Sequence, residues 1–510
     1  MKTFFAIIFY CMGSHWAFCQ AGMLDLTFDT DGLQTIHPGN VCNAMVIQPD
    51  GKILLAGTGS TDVTLVRLNP DGSPDNTFNS DGISMADVNG MSDVATSVAI
   101  RPDGKIVIAG VTNNGSDNDI LLMGFTQAGF LDHSFGENGI TYTQIGPGTF
   151  EYAHGMILQP DGKIVVVGQV GTGAGSDFVL VRYLPDGSQD LSFGPGSVVT
   201  TSFSMYEDIA YALMLQPDGK LIAVGSTRPD SLHPYMAVAR YNTDGSPDSS
   251  FGTNGKVMTL VGSNPTGYAC ALQPDNKIVV VGNGWNGVDD DFAIVRYNAD
   301  GSLDTTFSTD GKQTVDIGSP SEGARTVAIQ PDGKIILAGY TFNGIDYDFA
   351  LTRLTPSGNL DSSFDADGKL TTQFNPVPGH TETASCMALQ TDGKIVVAGT
   401  VSNTFGVARY WPLAGMDVEN APVVLHNLQL YPNPVMQKFT IHYFLSSAEN
   451  ISIDLLDSRG SMISCLVPAE KQETGDHDLS LMLPNGISAG TYYVMISTSS
   501  GRSAIKLMVN

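Results

Sequence analysis

Gln48-Pro-Asp-Gly-Lys52 is the first of seven copies of one turn sequence, and these copies determine the fold of this 510-residue chain. Successive copies start 53 to 60 residues apart. The other six are Arg101-Pro-Asp-Gly-Lys105, Gln159-Pro-Asp-Gly-Lys163, Gln216-Pro-Asp-Gly-Lys220, Gln273-Pro-Asp-Asn-Lys277, Gln330-Pro-Asp-Gly-Lys334 and Gln390-Thr-Asp-Gly-Lys394. A period of this length indicates an array of one supersecondary unit.

Each copy has the composition of a tight hairpin turn. Proline presets φ for the second turn position, aspartate suits the third, and glycine then adopts the left-handed conformation. Asn276 replaces this glycine in one copy, and Thr391 replaces the proline in another. Apolar, β-branched runs of four or five residues flank the turns, for example 44–47 and 53–57. Their length and composition predict buried strands.

Two further strands complete each unit. The third carries an arginine in six copies, at Arg67, Arg182, Arg240, Arg296, Arg353 and Arg409. A module of the form Asp-x-Ser/Thr-Phe follows, as in Asp248-Ser-Ser-Phe251. Its aspartate and hydroxyl group can cap backbone amides, and its phenylalanine can anchor the corner in the core. A polar segment such as 255–259 then predicts the fourth strand.

Seven units of four antiparallel strands predict an all-β fold, a seven-bladed β-propeller, because radial repetition protects the sheet edges. An open solenoid is the alternative, but it would need atypical polar caps at both ends. Residues 32–36 have the composition of a fourth strand, whereas the array ends in a third strand near Tyr410. We therefore expect residues 32–36 to complete the last blade and close the ring.

The strand before each turn carries a small residue at one repeated position: Ala44, Ser97, Gly155, Ala212, Ala269, Thr326 and Cys386. Small side chains suit the crowded axis of a propeller, so we expect this strand to be the innermost of each blade.

The two ends of the chain differ from the repeats. Lys2, the apolar stretch 4–10 and small residues before Gln20 predict a secretory signal peptide over residues 1–19. The propeller is then expected at 20–411. Residues 412–426 break the repeat and predict a linker. Period-2 alternation in 427–510 predicts a small C-terminal β-sandwich.

Residues 427–510 resemble the type A C-terminal sorting domain of the type IX secretion system of Bacteroidetes. The matching motifs are Leu430-Tyr-Pro-Asn-Pro434, Asp457-Ser-Arg-Gly460, Gly490-Thr-Tyr-Tyr493 and Lys506-Leu-Met-Val-Asn510. The resemblance implies that the type IX secretion machinery is a partner and that the protein is extracellular or on the outer cell surface. It also implies that the sorting domain is removed and that the cargo is then either anchored or released.

Residues 24–411 resemble the delta-60 repeats of secreted bacterial proteins. The match is close at the Pro-Asp-Gly-Lys turn and at the Asp-x-Ser/Thr-Phe module. This resemblance implies a propeller-like array and brings no defined activity with it.

Charge narrows the classes of partner. The chain has 25 Lys and Arg against 52 Asp and Glu, a net charge of −27. Thirteen of the cations are the turn lysines and third-strand arginines. The remaining surface is acidic, which disfavours nucleic acids and anionic membranes as partners. No segment after the signal peptide is long and apolar enough to span a bilayer.

Two columns of residues near the start of the innermost strands are the candidate ligand-binding residues. The first, eight residues before each turn sequence, is acidic in five copies: Asp93, Glu151, Asp208, Glu322 and Glu382. The second, three residues later, is polar and variable and includes His154, Tyr211, Tyr268 and Arg325. Sevenfold repetition would place both columns around one mouth of the central channel.

The two columns differ in what they could bind. The carboxylates have two interpretations: a negative rim that attracts cations or polyols, or acceptors of backbone amides or arginines. The second column is the better ligand candidate, because aromatic rings beside hydrogen-bonding groups suit a sugar or a peptide.

Other chemical signals are weak. The sequence has no metal-spaced Cys or His pairs, no nucleophile elbow, no phosphate loop and no dinucleotide motif, so we predict no catalytic residue and no cofactor. Calcium stays open, because Asp29-Thr-Asp31-Gly32 and Asp365-Ala-Asp367-Gly368 resemble calcium loops without the glutamate at the required spacing. The acidic stretches 289–291 and 346–348 are interpreted as solvated loop charges. Cys42 and Cys386 lie on inner strands of neighbouring blades, which leaves a disulfide bridge open.

These patterns favour a secreted or cell-surface propeller that binds an extracellular glycan, peptide or protein. One alternative is a polysaccharide-active propeller enzyme, which would need two carboxylates, or a histidine and a carboxylate, in the channel mouth. The other is a structural or adhesive surface protein.

Overall fold

The computed structural model describes residues 21–412, except 38, 173–174, 231–232, 319 and 376, and residues 425–509, except 446–447, 457–461, 485, 489 and 498–501. The predicted signal peptide, most of the predicted linker and the Asp457–Gly460 motif therefore lie outside the described residues. Gly22–Pro412 form one compact unit, and the strands after residue 424 belong to a second.

The first unit is a seven-bladed propeller in which every blade is a four-stranded antiparallel sheet. Blade 1 contains Val41–Ile47, Ile53–Gly59, Asp62–Leu68 and Ile83–Ala86. Blade 2 contains Asp93–Ile100, Ile106–Asn113, Asn118–Phe125 and Ile140–Thr143. Blade 3 contains Phe150–Leu158, Ile164–Thr172, Gly175–Tyr183 and Val198–Thr201. Blade 4 contains Asp208–Leu215, Leu221–Thr227, Tyr235–Tyr241 and Lys256–Thr259.

The remaining blades follow the same order. Blade 5 contains Ser263–Leu272, Ile278–Trp285, Asp290–Tyr297 and Lys312–Val315. Blade 6 contains Glu322–Ile329, Ile335–Phe342, Tyr347–Leu354 and Lys369–Thr372. Blade 7 contains Glu382–Leu389, Ile395–Val401, Thr404–Tyr410 and, from the start of the propeller, Leu33–Ile36. The first strand of each blade contacts the first strands of both neighbours, which confirms that these strands line the axis.

The ring closes as the order of strand types predicts. Leu33 pairs with Ala408, and Ile36 pairs with Phe405, in an antiparallel register. The amide of Asp25 also donates to the Arg409 carbonyl at 2.8 Å. The N-terminal segment thus supplies the outermost strand of blade 7.

The hydrophobic core lies between neighbouring blades. Leu54 and Ala56 of blade 1 pack in one cluster with Ile106 and Ile108 of blade 2, and the module residue Phe78 joins them. All five are fully buried. Because each of the larger side chains, Leu54, Ile106, Ile108 and Phe78, contributes on the order of 1.5–3 kcal/mol, the interfaces between blades carry much of the stability of the ring.

A four-part polar network fixes the corner of each blade, as blade 3 shows. Asp190 accepts hydrogen bonds from Arg182 Nε at 2.8 Å and from Ser192 Oγ at 2.6 Å, and Lys163 Nζ lies 3.0 Å away. The Arg182 guanidinium lies 4.4 Å from the centre of the Phe193 ring. Burial alone would raise the pKa of Asp190, but the Ser192 hydrogen bonds and the two cations outweigh it and hold the pKa well below its usual range.

The same arginine links six of the seven blades to the next blade. Arg182 Nη1 donates to the Thr243 carbonyl of blade 4 at 2.6 Å, and Arg409 Nη1 of blade 7 donates to the Pro70 carbonyl of blade 1 at 2.5 Å. Six blades have such a link, from Arg67, Arg182, Arg240, Arg296, Arg353 and Arg409. The third-strand column is therefore structural.

Blade 2 replaces this arginine in a different way. Gly124 occupies the arginine position, and a Cβ there would lie 2.6 Å from the Phe135 side chain. Arg101, which replaces glutamine in the turn sequence, places Nη1 3.7 Å from Asp132 and its guanidinium 5.7 Å from the centre of the Phe135 ring. The two departures from the repeat compensate each other.

All seven innermost strands contain a β-bulge at the same place. In each, the strand register shifts by one residue. The extra residues are Asn43, Thr96, His154, Tyr211, Tyr268, Arg325 and Ser385. The bulge brings the backbone close to a glycine on the second strand, since a Cβ on Gly110 would lie 1.8 Å from the Val94 carbonyl oxygen. A bulge leaves its extra residue unpaired and redirects its side chain. The residues of the variable column therefore lie outside the regular pairing of the first and second strands.

Thr391→Pro is expected to stabilise the propeller by about 0.4–1 kcal/mol, because proline restricts the unfolded chain without disturbing a compatible turn. Thr391 is exposed, and its turn closes with the Gly393 amide donating to the Gln390 carbonyl at 2.9 Å. The six turns that have proline at this position close with the same hydrogen bond. Chemical denaturation measures the change. Thr391→Ala is the control and should be close to neutral, whereas a less stable proline variant would contradict the prediction.

The C-terminal unit consists of two sheets. One contains Leu425–Tyr431, Lys438–Leu445 and Gly475–Met482, and the other contains Met462–Gln472, Glu449–Leu456, Gly490–Ser497 and Arg502–Val509. Alternate residues of Lys438–Leu445 are buried, and they share one core cluster with Ile451 and Ile453 of the other sheet. Within the described ranges of both units, no helix is long and apolar enough to cross a bilayer.

Candidate functional site

The bulges of blades 3 to 6 bring four predicted site residues together. The rings of His154 and Tyr211 are 5.1 Å apart, and those of Tyr211 and Tyr268 are 5.0 Å apart. The Arg325 guanidinium lies 3.8 Å from the centre of the Tyr268 ring. All four side chains are half-buried. One continuous row of flat groups therefore runs across four blades.

Two tyrosines that the sequence analysis did not select extend this row. Tyr152 stacks on His154 at 6.3 Å with 9° between the rings, and Tyr340 lies 5.3 Å from the Arg325 guanidinium. Tyr340 directly follows the glycine of the second strand, and this position could have been read as a third variable column. We call the six residues the aromatic arc: Tyr152, His154, Tyr211, Tyr268, Arg325 and Tyr340.

Polar atoms without partners lie beside the arc. His154 Nε2, Gln169 Oε1 and Asn283 Oδ1 are buried and make no hydrogen bond. Gln169 and Asn283 occupy the same second-strand column as Tyr340. Burial lowers the pKa of His154 to about 4, so its imidazole is neutral at pH 7. Buried polar groups normally have partners, so the two amide oxygens can accept hydrogen bonds from a ligand, and His154 Nε2 can accept or donate according to its tautomer.

The bulge residues of blades 7, 1 and 2 are short. Asn43 donates from Nδ2 to the Ala95 carbonyl at 2.9 Å, and Thr96 donates from Oγ1 to the Ala109 carbonyl at 3.2 Å. Ser385 occupies the bulge of blade 7. The axis is thus asymmetric, with large flat groups on one side and small polar groups on the other.

A pocket of about 480 Å³ opens at the arc between blades 4 and 5. Tyr211, Tyr268 and Ser226 line it, together with an exposed ion pair in which Arg228 Nη1 lies 3.5 Å from Glu207 Oε2. This volume lies within the range of about 300–1,000 Å³ that is typical of small-molecule sites.

A larger cleft of about 950 Å³ lies at the turn ends of blades 1 and 2, where Lys52 and Arg101 of the turns and Arg67 of a third strand line it. Because these residues belong to the repeated corner network or its blade 2 substitute, this cleft is a product of the scaffold rather than of a variable site.

The carboxylate column does not form a solvent-facing rim, so the structure does not support the first of its two interpretations. Asp93, Glu151, Asp208, Glu322 and Glu382 are all fully buried. Asp93 accepts the Val88 amide at 2.6 Å, and Glu382 accepts the Phe374 amide at 2.8 Å. Asp208, Glu322 and Glu151 similarly accept Phe203 N, Ile317 N and Thr149 Oγ1.

These carboxylates fasten the segment that connects one blade to the next. Backbone amides in a buried connection need acceptors, and a carboxylate at the start of the next strand supplies one. Burial raises the pKa of four of the groups, Asp93, Glu151, Asp208 and Glu382. The structural interpretation that the sequence left open is the one that this geometry supports.

The acidic hairpins are also more buried than the sequence suggests. Asp291, Asp346 and Asp348 are only 3%, 4% and 8% exposed, so they are not solvated loop charges. The asparagine that opens each hairpin turns inward and binds these carboxylates: Asn343 donates to Asp346 at 2.6 Å and to Asp348 at 2.9 Å.

The other metal and cysteine signals have local structural roles. Asp31 and Asp367, from the two stretches that resemble calcium loops, each accept the amide two residues later at 2.9 Å. Cys42 and Cys386 are free thiols within one core cluster. The neighbouring Cys386 thiol and burial both raise the pKa of Cys42.

Comparison with solved structures finds matches of low sequence identity. A fungal alcohol oxidase of the AA5 family in complex with copper is 14% identical, with a TM-score of 0.40 and coverage of 94% of this chain and 98% of its own. The polysaccharide lyase Uly1 is 10% identical, with a TM-score of 0.44 and coverage of 74% and 91%. A PL25 ulvan lyase bound to -[GlcA(1-4)Rha3S]- is 12% identical, with a TM-score of 0.38 and coverage of 75% and 96%. At these scores they support no conclusion about activity or ligand.

Family models match both units of the chain, whereas no curated protein sequence matches it. The β-propeller domain of unknown function DUF5122 matches residues 48–78, 101–135, 159–193, 216–251, 273–307, 330–364 and 390–412. The secretion system C-terminal sorting domain matches residues 429–510. This domain marks a protein for type IX export to the cell surface or the extracellular space. The chain is therefore a propeller of seven DUF5122 repeats that carries a type IX secretion sorting domain.

Proposed function

We propose that the exported propeller is a binding module whose aromatic arc takes a neutral glycan. The observation that carries this proposal is the row of stacked rings from Tyr152 to Tyr340, with unpartnered polar atoms beside it. Flat aromatic faces pack against the apolar faces of sugar rings, and the adjacent polar atoms can bind the hydroxyl groups.

Charge favours a neutral ligand over an anionic one. The chain carries a net charge of −27, and the cations of the corner network are already paired with aspartates. Long-range repulsion would therefore slow the approach of a polyanionic polysaccharide. Within the arc, Arg325 is stacked between Tyr268 and Tyr340, which suits it to holding the rings in place and to donating to a sugar oxygen.

The features of the arc support binding more directly than catalysis. Hydrolysis of a glycosidic bond would need a pair of accessible carboxyl groups. The column carboxylates Glu151 and Asp208 are fully buried and hold backbone or hydroxyl donors. Glu207, which lines the pocket, is exposed but is paired with Arg228, and the described residues that line the pocket offer it no second carboxyl group. His154 could donate or accept a hydrogen bond, but its low pKa makes it a poor proton donor at pH 7.

Tyr268→Ala is expected to weaken glycan binding by about 10- to 30-fold, because a central aromatic anchor contributes roughly 1.5–2 kcal/mol. Arrays of neutral glycans, anionic glycans and peptides would first identify the ligand of the purified chain, and calorimetry would then compare the variants. Tyr142→Ala is the matched control, since Tyr142 is a 44% exposed tyrosine on the outermost strand of blade 2.

Three outcomes would contradict the proposal. Equal losses for the Tyr268 and Tyr142 variants would place binding outside the arc. Binding to peptides alone would replace the glycan with a peptide ligand. The absence of binding to every array would leave the arc as packing between blades and favour a structural role.

A further inference from the structure

Three blades share a second hairpin sequence, Asn-Gly-x-Asp-x-Asp, between their second and third strands. The copies are Asn114–Asp119, Asn286–Asp291 and Asn343–Asp348. In blade 5 the Asn286 side chain donates to Asp289 at 2.6 Å and to Asp291 Oδ2 at 3.0 Å. The asparagine thus turns the last aspartate of the hairpin into the protein.

The last aspartate of each hairpin keeps one oxygen without a partner. Oδ1 of Asp119, Asp291 and Asp348 is buried and accepts no hydrogen bond. Asp291 is only 3% exposed. An ionised carboxylate in such a position costs free energy unless a cation or a proton compensates it.

At the junction of blades 5 and 6 this aspartate meets two further carboxylates. Oxygen atoms of Asp291, Asp316 and Glu322 all lie within 4.8 Å of one another. Asp291 and Asp316 belong to blade 5, and Glu322 starts the innermost strand of blade 6. Burial raises the pKa of Asp291, and the charges of Asp289 and Asp316 raise it further. Within the described chain, no lysine or arginine forms an ion pair with Asp291 or Asp316.

We propose that Asp291, Asp316 and Glu322 bind a divalent cation, with Ca²⁺ preferred, and that this ion joins blade 5 to blade 6. Carboxylate oxygens are the ligands of Ca²⁺ and Mg²⁺. Two oxygens on one ion are separated by at most twice the metal–oxygen distance, which is about 4.6–5.2 Å for Ca²⁺ and about 4.0–4.2 Å for Mg²⁺. Separations within 4.8 Å are compatible with Ca²⁺ without movement of the three side chains.

The junctions that follow the other two hairpins lack the third carboxylate, whereas the junction of blades 1 and 2 has Asp62, Asp87 and Asp93 at the three positions. Within the described residues, only Asp291, Asp316 and Glu322 bring their oxygens within 4.8 Å of one another. Asp316 directly precedes the residue whose amide binds Glu322, and the same position is Gln373 before Phe374 and Gln144 before Ile145. Asp348 and Glu382 therefore form a pair without a third acid. This difference within one chain provides the control for the site between blades 5 and 6.

Calcium titration of the chelator-treated full chain tests the proposal, with calorimetry for affinity and thermal unfolding for stability. We expect one Ca²⁺ per chain at this site and a higher melting temperature in its presence. Asp316→Asn should lower the affinity at least 10-fold, and because Asp316 is exposed it should not impair folding. Asp348→Asn, the matched control, should leave calcium affinity unchanged. Gln373→Asp should create a second site.

Other results would overturn the proposal. Calcium binding that Asp316→Asn does not weaken would place the ion elsewhere. The absence of any calcium effect, together with a melting temperature that rises as the pH falls from 7 to 5, would assign a shared proton to the carboxylates instead. Because folding raises the pKa of Asp291, its protonation stabilises the native state at low pH, and this contribution is lost as the pH rises through the folded pKa.

Discussion

Asp25→Ala should destabilise the propeller by about 3–5 kcal/mol, because it leaves buried cations without their carboxylate. Asp25 is fully buried, accepts a hydrogen bond from Arg409 Nε at 2.7 Å, and lies 3.3 Å from Lys394 Nζ. Both cations belong to blade 7, whereas Asp25 precedes the N-terminal strand of that blade. The variant therefore weakens the corner network at the point where the ring closes. Chemical denaturation at pH 7 measures the change.

Asp31→Ala is the control for this experiment. Asp31 lies in the same N-terminal segment but is exposed and accepts only the Leu33 amide at 2.9 Å, so its loss should cost no more than about 1 kcal/mol. A loss below about 1 kcal/mol for Asp25→Ala as well would show that the ion pairs do not secure the closure.

The pH dependence of the Asp25 difference provides an independent check. Burial alone would raise the pKa of Asp25, but the Thr27 hydrogen bonds, Arg409 and Lys394 together lower it. A carboxyl group whose pKa falls on folding stabilises the native state above its unfolded pKa of about 3.9, and this stabilisation is lost as the pH drops through the folded value. The difference in the free energy of unfolding between wild type and Asp25→Ala should thus be constant near neutral pH and shrink in strong acid.

The features that the sequence predicts are those set by local chemistry and repetition. A Pro-Asp-Gly turn specifies its own geometry, and seven copies specify the blade count. The composition of residues 32–36 identifies an outermost strand, so the closure against Thr404–Tyr410 could be predicted before any contact was known. The order of strand types, rather than any single residue, carries that information.

Features that depend on direction and burial could not be predicted in the same way. The spacing places Glu322 at the start of an innermost strand, but it does not show that the Ile317 amide turns toward its carboxylate. Three consecutive aspartates at 289–291 predict a solvated loop, but the Asn286 side chain donates to Asp291 and holds it in a buried position. The sequence pattern therefore predicts where these carboxylates lie in the blade but not that they are buried.

The aromatic arc lies between these two cases. The variable column was visible because His154, Tyr211, Tyr268 and Arg325 break an otherwise regular repeat. The bulge that separates them from the ladder was not visible, although the glycine it requires follows every second-strand apolar run. Tyr340 lies in a column whose variation is visible in the sequence, but the sequence does not show that this column lies beside the bulge, as the contact of Gly339 does.

Deletion of residues 427–510 should leave the protein inside the cell envelope instead of at the surface. The sorting domain model covers 429–510, and this domain marks a protein for type IX export. The propeller should still fold, because Gly22–Pro412 form a compact unit whose ring is closed by its own N-terminal strand. Cell fractionation and protease digestion of intact cells locate the protein, and thermal unfolding of the recovered material reports its fold.

A fusion separates a sorting signal from a folding requirement. Residues 427–510 attached to an unrelated periplasmic protein should bring that protein to the surface, since the C-terminal sheets have their own hydrophobic core. If the truncated chain is found outside the cell, export does not depend on the C-terminal unit. If it is degraded in the envelope and its melting transition is lost, the C-terminal unit stabilises the propeller, and the export defect would follow from misfolding. A folded, protease-protected propeller with a surface-exposed fusion is the one combination that assigns export to residues 427–510 alone.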